Sequence, residues 1–169
     1  LCVTVAAKHT EDIGLERLMD MFAALKQQGA LFFYLQAIVN ESEDPEVHYK
    51  FIEVAINVGE FGEAERVTRE SSVYDPERVK SFLMEVRPKD PRPLINVCDR
   101  FGFVEEMVVH MVKNKQIKFV EGYVQRVNPL KCPQVVGSLL DIDYNDEFIK
   151  NLIMSVKNTV PVEELVDEV

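Results

Sequence analysis

Apolar residues recur at three- and four-residue intervals along most of the chain, most plainly from Asp44 to Met84. Val47, Phe51, Ile52, Ala55 and Val58 fall on one face of a helix, the stripe expected where 3.6-residue turns bury one side. Gly59 interrupts the stripe, and a second run follows with Phe61, Ala64 and Val67. The first phrase then returns. Asp44-Pro45-Glu46 reappears as Asp75-Pro76-Glu77, and Phe51 and Ile52 as Phe82 and Leu83, 31 residues on. A recurrence of that length, made of two helices and their turns, predicts an all-α solenoid of stacked antiparallel helix pairs. Phe51, Ile52, Phe82 and Leu83 are its expected core repeat positions.

The Asp-Pro step supplies a physical start for each unit. An aspartate at the N-cap accepts an amide that has no partner inside the helix. Proline at the next position lacks the donor that would be orphaned there, and its φ already suits a helix. Glu46 and Glu77 add negative charge at the positive helix end. Asp44, Pro45, Asp75 and Pro76 are therefore read as helix starts, and Asn128-Pro129 as a third start by the same logic.

The same spacing extends in both directions. Leu1 to Lys8 reads as the end of a helix, and Gly14 to Gln27 as an amphipathic one closed by Gly29 in a left-handed cap. Ala30 to Val39 is apolar nearly all round and is expected to be covered on more than one side. Val79, Phe82, Leu83 and Val86 give the helix after Pro76 its inner face. Pro88, Pro91 and Pro93 mark either a domain linker or a tight interhelix turn. The turn is favoured, because loops between packed helices are short. Further helices are expected with Pro91 or Pro93 in the first turn and apolar content at Leu94–Cys98, over Val104–Val112, over Ile117–Val127, from Pro133 through Leu140, over Phe148–Val156 and from Pro161 onward, about twelve in all.

Composition narrows the function. Hydrophobic residues make up 47% of the 169, enough for a continuous core. The net charge is −10, with 19 basic residues scattered among 29 acidic ones. That balance disfavours nucleic acid and direct docking on an anionic membrane as partners. The longest apolar run, around Ala30–Val39, is about half of the roughly 20 residues a membrane span needs.

Candidate chemistry is sparse. Cys2, Cys98 and Cys132 are far apart and include no CxxC pair, so a zinc knuckle is not supported. The pattern suits a reducing compartment, with Cys98 as a small buried residue. His9, His48 and His110 share no ligand spacing. Asp141 to Asp146 is acidic, yet lacks the bend glycine and the bidentate glutamate of a calcium loop. No phosphate loop, nucleophile elbow or HExxH motif is present. No catalytic, cofactor-binding or metal-binding residue is assigned, and an enzyme is not expected.

Several longer words carry a resemblance. Arg69-Glu70-Ser71, Tyr74-Asp75-Pro76-Glu77-Arg78-Val79-Lys80, Val97-Cys98-Asp99-Arg100-Phe101, Tyr123-Val124-Gln125-Arg126-Val127-Asn128-Pro129 and Leu139-Leu140-Asp141-Ile142-Asp143 resemble the leg of the clathrin heavy-chain family. The resemblance implies a right-handed α-solenoid, one continuous fragment cut at both ends and holding parts of two clathrin heavy-chain repeats from the ankle to distal-leg region. It also implies a structural role: legs packing on other heavy-chain legs in the polyhedral coat of vesicles, at the cytosolic face of coated pits, in endocytosis and intracellular traffic. Light chain and adaptors belong elsewhere on such a chain. A vesicle-tethering or vacuolar sorting subunit, or a tetratricopeptide-like peptide-binding adaptor, is the alternative.

Overall fold

Both Asp-Pro-Glu phrases open a helix through the same bond. Asp44 has an extended backbone, and its Oδ1 accepts the Glu46 amide at 2.9 Å. Asp75 accepts the amides of Glu77 and Arg78 at 3.0 and 3.2 Å. Pro45 and Pro76 are the first helical residues. A third Asp-Pro step, not singled out from the sequence, behaves alike: Asp90 Oδ1 accepts the Arg92 amide at 3.0 Å as the next helix begins.

The computed structural model describes residues 14–24 and 27–157. Among these are ten α-helices and no strand. They are α1 (Leu15–Ala24), α2 (Gln28–Ile38), α3 (Pro45–Val58), α4 (Phe61–Glu70), α5 (Pro76–Val86), α6 (Arg92–Phe101), α7 (Val104–Lys113), α8 (Ile117–Gly122), α9 (Cys132–Asp141) and α10 (Asp146–Val156). A π-helical turn, Tyr123–Val127, continues α8, and a 3-10 turn, Pro129–Lys131, precedes α9. The helices expected at Leu1–Lys8 and from Pro161 lie outside the described residues.

The chain divides into two compact units, Leu1–Pro93 and Leu94–Val169, with the division in the first turn of α6. In the first unit α1 packs on α2, α2 on α3 and α3 on α4, and α3 also meets α5, its counterpart one phrase later. Contact with the next helix and the next but one is how a helical stack buries its stripes. Tyr34, Leu35, Phe51, Ile52 and Leu83 are fully enclosed there, with Phe32 stacked on Phe51 at 5.5 Å between ring centroids. In the second unit α7 packs on α8 and α9, and α10 on α9 and the π turn. Met107, Val108, Met111, Val124 and Leu139 fill that interior.

Four of the turns share one geometry. Gly59, Gly102, Lys115 and Asp143 all have positive φ, from 50° to 88°. In each case the next residue's N–H bonds back five residues: Glu60 to Ala55 at 2.8 Å, Phe103 to Cys98 at 2.9 Å, Gln116 to Met111 at 2.8 Å, and Tyr144 to Leu139 at 2.9 Å. This is the closure that satisfies the last carbonyls of a helix, and it requires one left-handed residue. The Gly59 and Gly102 turns are thus alike in structure.

Several expectations are corrected. Gly29 does not cap α1; it lies in the first turn of α2, and its φ is not positive. The chain instead turns through a bond from the Gln27 amide to the Phe22 carbonyl, 3.3 Å. The helix apolar nearly all round is covered on more than one side, as expected, since it packs on both α1 and α3, and it leaves Phe33 60% exposed while Leu31, Phe32, Tyr34 and Leu35 are buried. Phe82, set as a core position, is half-buried, and Val86 is exposed. The inner face of α5 runs through Val79, Lys80 and Leu83, and Phe82 sits at its edge against the Tyr49 ring, 6.0 Å away.

Ile117 to Val127 is not one α-helix. The Asn128 amide bonds to the Tyr123 carbonyl, five residues back, at 2.9 Å. The wider turn takes in one more residue per bond than an α-turn. Val127 therefore rotates off the buried face and is 55% exposed.

Candidate functional site: polar clamps between helices

Three groups of polar side chains tie one helix to another, each joining residues 23 to 32 positions apart. The first joins α3 to α5. Arg78, in the first turn of α5, forks onto the Glu46 carboxylate, with its Nη2 3.2 Å from Oε1. Its guanidinium carbon lies 3.6 Å from the centroid of the Tyr49 ring. A planar cation suits both tasks at once. The hydrogen bond it donates to Glu46 is the main cause raising the Arg78 pKa, so the charge is fixed. Glu46 belongs to one Asp-Pro-Glu phrase and Arg78 follows the other.

The second group surrounds His48, a buried residue of α3. Its Nε2 meets the Ser42 carbonyl at 2.7 Å, and its Nδ1 meets Ser71 Oγ at 3.0 Å. A carbonyl only accepts, so Nε2 donates to it, and Nδ1 shares a hydrogen bond with the Ser71 hydroxyl. Ser71 Oγ also accepts the Val73 amide at 3.1 Å, and Tyr74 donates to the Thr68 carbonyl at 2.8 Å. One ring thus ties the α2–α3 connection to the end of α4. A cleft of about 370 Å³ lies alongside, lined by Asn40, Glu43, Arg66 and Glu70.

The third group centres on Asp99 of α6. Its Oδ1 accepts the Tyr123 hydroxyl at 2.5 Å and the Asn128 side-chain amide at 2.7 Å. Burial, then the bond to Asp99, pushes the Tyr123 pKa well above that of a free phenol. Asn128 was expected to cap a helix with Pro129 behind it. It does not: Pro129 opens only a 3-10 turn, the Asn128 side chain makes no cap bond, and Asp99 holds it instead. The π turn sets Tyr123 and Asn128 at the spacing that lets both reach one carboxylate oxygen.

The Cys132 thiol is buried and its pKa is pushed up to about 11, which leaves it protonated and unreactive. Cys98 is buried too, whereas Cys2 and His9 fall outside the described residues. Asp141, Asp143 and Asp146 surround a helix stop and start, in which Asn145 caps α10 by accepting the Phe148 amide at 2.9 Å. Among the described residues no group of three or more His, Cys, Asp or Glu side chains is placed to hold a metal ion. No helix there is long and apolar enough to cross a membrane. An open groove of about 750 Å³ lies between α1, α2 and α3, floored by Met19, Phe22, Leu31 and Val54.

Comparison with known proteins gives a consistent picture. Residues 6–147 match the model of a family described as a region in clathrin and VPS. Clathrin heavy chain 2 of Homo sapiens is 48% identical over 169 residues, which is all of this chain and 10% of that protein. The probable clathrin heavy chain of Schizosaccharomyces pombe and the clathrin heavy chain of Drosophila melanogaster are each 47% identical over the same length and share. The chain therefore spans about a tenth of the length of the relatives it matches.

Proposed function

The chain belongs to the clathrin and VPS repeat family, and on that premise we propose that it works as a leg segment of a clathrin-type coat. It is read as one continuous α-solenoid holding parts of two heavy-chain repeats, in the ankle to distal-leg region. Its task is mechanical. Stacked helices pass shape along the leg, and outer faces pack on other heavy-chain legs at the cytosolic face of coated pits and vesicles. Light chain and adaptors are assigned to other parts of the full-length protein, and the segment itself is not an enzyme.

The observation that carries this reading is near-half identity along the whole chain to heavy chains from animals and fission yeast alike. The clamps fit it. Glu46–Arg78 and Asp99–Tyr123–Asn128 tie successive repeats at their polar edges while the interiors stay apolar. Those bonds resist the sliding of one helix pair over the next. A tethering subunit of the VPS type would share the repeats, but the relatives found at this identity are heavy chains.

A chimera tests the reading. The segment is placed into a clathrin heavy chain in exchange for its counterpart, and cage formation is followed by light scattering and electron microscopy. Cages of ordinary size are expected. A chimera that folds and trimerises yet forms no cages would overturn it.

A further inference from the structure

Charge is not spread evenly over the chain. Lys113, Lys115, Lys118, Arg126 and Lys131 lie within 19 residues that contain one acidic side chain, Glu121. The expectation of scattered basic residues fails here. The stretch runs from the end of α7 through α8 and the π turn to the start of α9. Four of the five cations are exposed and Lys131 is half-buried. Among the described residues none of them makes an ion pair, whereas Lys50, Arg66, Arg69, Arg78, Lys80 and Arg92 all do. The same stretch exposes three large apolar side chains: Phe119 at 40%, Val127 at 55% and Leu130 at 62%. Val120, Tyr123 and Val124 take the inner positions, and the bonds from Tyr123 and Asn128 to Asp99 pin the backbone between them. The outer side chains are thus displayed on a fixed frame, which lowers the ordering cost of binding.

We propose that this cationic and apolar stretch docks on the acidic surface of a second copy of the same chain. The inference rests on the coat reading and names a surface for it. Charge complementarity selects the occupant. The chain carries −10 overall although this stretch is cationic, so the rest of every copy is net acidic and offers the complement. An anionic membrane would attract the stretch and repel the rest. The contact joins two unlike patches. Such an interface leaves one patch of each kind free on every pair, so it propagates as a lattice requires.

The test uses the full-length protein that contains this segment. Lys118→Glu, Arg126→Glu and Lys131→Glu are combined in one variant, with Lys118→Arg, Arg126→Lys and Lys131→Arg in a charge-conserving control. A third variant carries Val127→Ser and Leu130→Ser. The concentration at which assembly begins is read by light scattering at low and raised salt. Helical circular dichroism checks the fold, and phosphatidylserine vesicles are probed by flotation. The glutamate variant should need roughly tenfold more protein to assemble at low salt, with helicity unchanged. The serine variant should also assemble later, the control should match wild type, and wild-type assembly should weaken as salt rises.

Assembly of the glutamate variant at the wild-type concentration would overturn the proposal. So would equal loss in the charge-conserving control, or vesicle binding by wild type that the glutamate variant lacks while assembly stays the same. If wild type itself does not assemble, the coat reading fails and this inference falls with it. If wild type and the glutamate variant assemble alike, only this inference is lost.

Discussion

Arg78 lies over the face of Tyr49, 3.6 Å from guanidinium carbon to ring centroid, while forking onto Glu46. Two phrases of the repeat are joined at that point by one side chain. Both ends are partly solvated, at 46% and 37% side-chain exposure, so the pair is weaker than its geometry suggests. Arg78→Ala should cost about 1 kcal/mol of unfolding free energy, from the ion pair and the ring contact together. Arg78→Lys should recover less than half, because an ammonium cannot fork and stack at once. Urea denaturation of the two variants, with Tyr49→Ala to complete a double-mutant cycle, checks this. Full recovery by lysine would reduce the contact to simple charge.

Tyr123 gives a prediction at the alkaline end. Its folded-state pKa is raised by burial and the bond to Asp99. The folded state then binds a proton that the unfolded state has released above about pH 10. The stabilisation is complete below that pH and falls as pH rises past it. Tyr123→Phe should cost about 1 kcal/mol at pH 7 through the lost hydrogen bond, and its stability should fall less steeply above pH 10. Parallel alkaline limbs for the two proteins would disprove the assignment.

At the acid end the sign reverses. Partial burial alone would raise the Asp90 pKa, but hydrogen bonds from the Arg92 side chain and amide outweigh it and hold the carboxyl below its usual range. Its contribution is therefore present above about pH 4 and is lost as pH falls. Asp90→Asn should lower stability at pH 6 and lose less than wild type on acidification. Thermal melts from pH 6 to pH 3 measure both.

The four matching turns separate residues by their tolerance of positive φ. Lys115 has φ 58° and Asp143 has φ 50°. Lys115→Gly should raise stability by about 0.5–1 kcal/mol, since strain is relieved at a place where glycine is the natural occupant. Asp143→Gly should gain less, because aspartate visits this region more readily than lysine. Gly59→Ala, at φ 88°, should cost about 1 kcal/mol even though a Cβ there meets nothing within 4 Å. Chemical denaturation of the three variants orders them.

Much of the fold was legible in advance, and for local reasons. The stripe through Phe51 and Ile52 and the caps at Asp44 and Asp75 depend on residues a few positions apart, and such signals survive without knowledge of neighbours. Asn128 shows where this stops. Its identity and the proline after it favour a cap, yet its side chain donates to a carboxylate 29 positions earlier and caps no amide. Gly29 misled for a similar reason, since a glycine marks a break but not which of two helices receives it. Phe82 and Val86 sit at the margin of a stripe, and only packing decides which margin is wet. The clamps were unreadable because each joins positions 23 to 32 apart with no fixed local pattern.

The π turn at Tyr123–Val127 is, in effect, one surplus residue kept on purpose. Winding the same residues at regular α pitch would remove a weaker kind of turn, which by helix geometry alone is an improvement. At about 100° per residue it would also carry Asn128 roughly a quarter turn around the axis, away from Asp99. A locally better helix would then leave its neighbour unlatched, so drift toward regularity at this point is opposed by the joint it would open.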